Sequence, residues 1–296
     1  MSHIKKASLL LVRLALASIA MSLAYILSLE TMVIGQASTT LTPEEASRAG
    51  QALFLVSMIN ALVLSYPILR SRLYGLRLIG TVILVQFGVE TFMAQIETLY
   101  FNSAVQMSMA VFVGIVAAGA LRALIFAPLA VLVLGRMRKP VQLEEKKAAV
   151  RLSEWGKRFA ALAVFYVIVY FVFGYFVAWQ WAETRLFYSG TTAIKPFFTH
   201  FRDLFRTDPI ILPFQVLRGA LWTALAIVIV RMMKAKRWEA SLAVALTFAA
   251  LLSSGIGLFP NPYMPPLVRQ SHFFELLSSM LVFGGIAGWV MHSKEG

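Results

Sequence analysis

Glu90 and Glu97, Gln215 and Arg218, and Arg269, His272 and Glu275 are polar side chains set in otherwise apolar stretches of the chain. Helical spacing puts each set on one stripe. Glu90 and Glu97 lie a heptad apart, about 10 Å along a helix, and the other two sets repeat at every third residue. Ionisable groups surrounded by apolar residues are retained where they meet one another or a wet cavity, so the expected pocket gathers Glu90, Glu97, Gln215, Arg218, His272 and Glu275. In that pocket Arg218 faces an anion, Glu97 and Glu275 are the carboxylates coupled to a proton or cation, and His272 is a titrating neighbour. At least one carboxylate must approach Arg218 directly, because a lone guanidinium in apolar surroundings is not compensated. The plainer reading of the same residues is a buried ion pair that holds helix register.

The elements that carry these residues are membrane helices. Of the 296 residues 59% are apolar and only 14% charged, and mean hydropathy is +0.76. About 20 apolar residues cross a bilayer core as a helix, and eight runs qualify, near 8–29, 51–69, 77–98, 104–134, 158–182, 210–231, 239–259 and 271–292. The expected fold is all-α and polytopic. The first run follows Lys5 and Lys6, but its length and Arg13 mark a retained anchor rather than a secretory signal. Arg13 lies near the boundary and is expected to snorkel.

Threading the runs alternately places 18 Lys and Arg on one side and 6 on the other, with Arg13, Arg122 and Arg218 within spans, which accounts for all 27. Positive-inside bias makes the richer side cytoplasmic and puts both termini there. The net charge of +13 thus sets orientation and offers contacts to anionic lipid; it is not a nucleic-acid footprint. The expected surroundings are the lipid bilayer, with an anionic lipid or amphipathic small molecule as ligand class, in a prokaryotic plasma membrane.

The charged connector 136–157 divides the chain into halves, 1–135 and 158–296, of four spans each. Ser108–Ile115 and Ser279–Ile286 are identical at six of eight positions, and Gln51-Ala52-Leu53 aligns loosely with Gln215-Val216-Leu217, which raises a parallel four-plus-four repeat. Thr42-Pro43-Glu44-Glu45 reads as a helix start. Residues 196–206 put Phe197, Phe198, Phe201, Leu204 and Phe205 on one face, as a helix in the outer interface or packed on the bundle. Arg122 is expected in a cytoplasmic-side ion pair or helix interface, Pro128 should kink or end its helix, Asn60 should bond across helices, and Gly284 with Gly288 forms a close-packing pair.

There is no cysteine, and HExxH, P-loop, GxSxG and dinucleotide fingerprints are absent, so no cofactor is expected. The leading functional expectation is a transporter-like or ligand-binding bundle. The alternatives are an intramembrane lipid hydrolase or transferase using Glu97, His272 and Glu275 as acid/base or metal groups, and a non-catalytic membrane subunit.

Overall fold

A computed structural model describes residues 3–33, 43–138, 152–259 and 263–292. It is 86% helix with no strand among the described residues, and eight helices are long and apolar enough to cross a membrane. The chain is a multi-pass membrane protein. The spans run His3–Val33, Pro43–Leu69, Gly75–Tyr100, Met109–Val133, Leu152–Phe176, Ile211–Met232, Arg237–Leu258 and Pro266–Met291. Ser108 caps the fourth by accepting from the Val111 N–H, and Pro266 starts the eighth, where a missing amide hydrogen is harmless. Pro128 does not end its helix, which continues to Val133. Most of the connector, Thr42 of the helix-start motif, and residues 260–262 lie outside the described residues.

Within the first half, the first span packs against the second and fourth, and the third against the fourth. Within the second half, the fifth packs against the sixth and eighth, and the seventh against the eighth. The second span meets the seventh and the third meets the sixth across the middle. The linkers after the second and sixth spans join as a short antiparallel bridge: the Arg72 N–H donates to Met232 O and the Lys234 N–H to Arg70 O, each at 2.7 Å. Arg70 reaches Glu239 at 2.7 Å beside it.

The eight-residue sequence match is not a structural one. Ser108 caps the start of the fourth span, whereas Ser279 lies midway along the eighth. Apolar helices draw on few residue types, so short matches between them arise without equivalence of position.

Gly284 and Gly288 lie against backbone atoms of the seventh span, where an added Cβ would stand 2.9 Å from Ala245 Cα and 2.8 Å from Ser241 Cα, respectively. Small residues let the helix axes approach this closely.

Two short helices, Ala182–Ser189 and Phe197–Thr207, connect the fifth and sixth spans. The second is amphipathic and rests on the fifth span: Phe201 and Phe205 meet Phe171 edge-to-face with ring centroids at 4.8 and 5.3 Å, and Phe197 lies 5.1 Å from Tyr175. Phe198 points away, 83% exposed. Burial against the aromatic cluster, with Lys195 nearby, holds His200 below the ordinary imidazole range.

Candidate functional site

Arg218 is 1% exposed, and its position in an apolar helix forces it to find acceptors inside the bundle. Its two terminal nitrogens donate to the two oxygens of Glu97 at 2.7 and 2.6 Å, and one also donates to Gln215 Oε1 at 3.0 Å. This fork-on-fork geometry is the strongest pairing the two groups make. The guanidinium also lies 5.7 Å from the ring centroids of both Tyr166 and Tyr170 on the fifth span. Its Nε is buried with no hydrogen-bond partner, so that donor is uncommitted.

Glu275 reaches the same place from the eighth span and is 6% exposed. With Glu97, Tyr166, Tyr170, Arg218 and Ser279 it lines a cavity of about 10 Å³, about enough for one water. Its ion-pair partner is His272, whose Nδ1 stands 3.6 Å from Glu275 Oε2. That separation suits an ion pair but exceeds a hydrogen bond. The other ring nitrogen, Nε2, is 3.0 Å from the Tyr188 hydroxyl on the short helix Ala182–Ser189. That helix is tied to the eighth span by the Thr184 and Ser271 hydroxyls, 2.6 Å apart.

Of the six residues expected to share a pocket, five are brought together: Glu97, Gln215 and Arg218 in direct contact, with Glu275 and His272 beside them. Glu90 is not among them. It pairs with Arg122 on the fourth span and accepts from the Tyr25 hydroxyl on the first. The Asn60 side chain donates to Tyr25 Oη and accepts from Ser254, each at 3.0 Å, so this second cluster also crosses the bundle. Gln86 donates to Glu90 at 3.3 Å.

The separation of Glu90 from Glu97 has a backbone cause. Phe87–Phe92 is a π-helical segment within the third span. A turn closed from i to i+5 holds an additional residue, so residues beyond it rotate by about 100° relative to an uninterrupted α-helix. Glu90 consequently faces the first and fourth spans, and Glu97 faces the sixth.

Comparison with models of protein families, with curated proteins and with solved structures found no match to this chain. The groups around Arg218 can hold an ion pair, bind a proton on a carboxylate or imidazole, and offer the spare Arg218 donor to an acceptor oxygen. Among the described residues, no three His, Asp or Glu side chains are grouped as ligands for a metal. Arg269, the first member of the eighth-span stripe, turns away to the Phe259 carbonyl.

Tyr188, Tyr166 and Tyr170 carry no sequence signal for the site. The fifth span reads as uniformly apolar and aromatic, and an eight-residue loop helix is too short to show a period.

Proposed function

We propose that the protein is a transporter-like membrane bundle whose exchange site is the cavity between the third, fifth, sixth and eighth spans, captured in a closed state. The observation that carries this reading is the mismatch of charges around the cavity. The charge of Arg218 is matched by the Glu97 carboxylate, and a second buried carboxylate, Glu275, lines the same cavity. A pair that only fixes helix register needs one arginine and one carboxylate; the second carboxylate and its histidine make a site whose charge can change.

The placement of the cluster supports the same reading. Glu97 belongs to the first half of the chain, and Arg218 and Glu275 to the second. The four-plus-four repeat rests on neighbour relations: spans one to four and five to eight contact one another in the same pattern, and the linker bridge joins corresponding linkers. Transporters built from parallel repeats place substrate between the halves. In this arrangement the Arg218–Glu97 pair latches the halves together, and the basic side of the bundle faces the cytoplasm.

The chain has no cysteine, so single cysteines can be labelled without background. Ser279→Cys, in the cavity wall, is expected to react with a membrane-impermeant maleimide in sealed vesicles, from one side at a time and with a dependence on applied ion gradients. Arg138→Cys and Arg206→Cys serve as reference positions, labelled only from the cytoplasmic and outer sides respectively. Protection of Ser279→Cys under every gradient would make the cluster a structural element, and reversed labelling of the reference positions would invert the orientation.

A further inference from the structure

The coupling ion of this site follows from counting its charges. Arg218 and Glu97 cancel. Glu275 adds one negative charge, and among the described residues its ion-pair partner is His272. The other groups facing Glu275 are Tyr166 and Tyr170 from the fifth span, Ser279 one turn along its own helix, and Tyr188 beyond the histidine. None of these supplies a cation. The cluster is therefore neutral when one proton sits on the His272–Glu275 pair and singly negative when it does not. In apolar surroundings a change of one charge is the largest electrostatic signal the site can produce.

We propose that the ion exchanged here is a proton carried by the His272–Glu275 pair, and that Tyr188 is the positioning residue that keeps the imidazole ready for it. This rests on the cavity being the exchange site. Uptake adds one proton from water to the imidazole, giving an imidazolium that pairs with the Glu275 carboxylate. Release returns the proton to water, and no bond between heavy atoms changes.

Tyr188 suits this role because its partner must serve both states of the ring. A hydroxyl donates to an unprotonated Nε2 and accepts from a protonated one, which neither a carbonyl nor an amide N–H can do. With Nε2 held in this way, Nδ1 is turned to Glu275 in either state. Burial and the nearby carboxylates push the Tyr188 phenol above the ordinary tyrosine range, so it remains a hydroxyl. Its ring is braced by Phe101, with centroids 6.0 Å apart, and its helix by the Thr184–Ser271 contact. Thus Tyr188→Phe removes the hydroxyl and keeps the packing.

Two measurements on the purified full chain test this. Dye-monitored proton uptake between pH 8 and 5 should fall by about one proton per chain in the double variant His272→Gln with Glu275→Gln relative to wild type, since either group left alone could still take the proton. Histidine labelled with nitrogen-15 gives signals from only four rings, His3, His200, His272 and His292, and loss of one set in His272→Gln assigns that residue. In Tyr188→Phe the His272 Nε2 resonance should move while those of the other three stay fixed, a signature that loosened packing alone would not confine to one nitrogen. Unchanged uptake in that double variant would overturn the proton site. An unmoved Nε2 resonance in Tyr188→Phe would remove Tyr188 from it. The labelling of Ser279→Cys is read separately, so unchanged proton uptake in the double variant with retained gradient-dependent labelling strikes only the choice of ion, and lost uptake with Ser279→Cys protected under every gradient strikes the exchange site.

Discussion

Arg218→Ala is expected to lower the stability of the bundle by about 3–5 kcal/mol, read as a shift in denaturant or thermal unfolding of the detergent-solubilised protein. The size follows from what is left behind. Glu97, whose side chain is 24% exposed, loses both donors of its fork and faces a small cavity with no other guanidinium. Gln215 loses a partner as well. Replacing both members of the pair removes the uncompensated charge, so Arg218→Met combined with Glu97→Gln should recover more than half of the loss. Stability and exchange then separate the two roles. If the pair were only a strut, the double variant would regain stability together with gradient-dependent labelling at Ser279→Cys. The expected result is regained stability without regained labelling, because the latch between halves and the charge opposite Glu275 are both gone.

The Arg218–Glu97 contact was legible because the physics is restrictive: an arginine in an apolar helix must find a carboxylate, and few were available at similar positions along the other spans. A heptad spacing in a regular α-helix puts Glu90 and Glu97 on one face, which is why the sequence places both in one pocket. The π-helical segment at Phe87–Phe92 breaks that inference, and nothing in Phe87-Gly88-Val89-Glu90-Thr91-Phe92 announces it. Arg122 reads from the sequence as a cytoplasmic-side ion pair or helix interface; it lies midway along its span and its partner is Glu90, which heptad spacing allots to the other pocket. Tyr188 was hidden for a different reason: its helix is held by tertiary contacts such as Thr184 with Ser271, not by a pattern of its own. Length and hydropathy marked all eight spans, since crossing a bilayer leaves little freedom in either, with both boundaries of the third, sixth and seventh within two residues and the starts of the other five off by five to eight. The eight-residue match at Ser108 and Ser279 was a product of that same restriction. Helices bound to be apolar resemble one another in sequence whether or not they occupy equivalent places.

Gly219→Ala is expected to destabilise the protein by about 2–3 kcal/mol, although alanine is the better helix former. Gly219 follows Arg218 in the sixth span and lies against the fifth, where an added Cβ would stand 2.3 Å from the Ala163 carbonyl oxygen and 2.9 Å from Tyr166 Cβ. A carbonyl within a helix cannot swing aside as a side chain can, so the two spans must separate by about 1 Å to restore ordinary contact. Tyr166 and Tyr170 move with the fifth span and Arg218 with the sixth, so the displacement falls directly on the cavity wall. Gly285→Ala provides the comparison: its new methyl group would meet nothing closer than 3.8 Å, and the higher helix propensity of alanine should leave stability unchanged or raise it by up to about 1 kcal/mol. The two substitutions are chemically identical and differ only in what faces them. Because the bidentate fork tolerates little displacement, the coupling energy between Arg218 and Glu97, measured by a double-mutant cycle, should also fall in the Gly219→Ala background and stay the same in Gly285→Ala. Equal stability of the two alanine variants would mean that the fifth and sixth spans are not packed as closely as the Ala163–Gly219 contact requires, and the cavity wall they form would have to be redrawn.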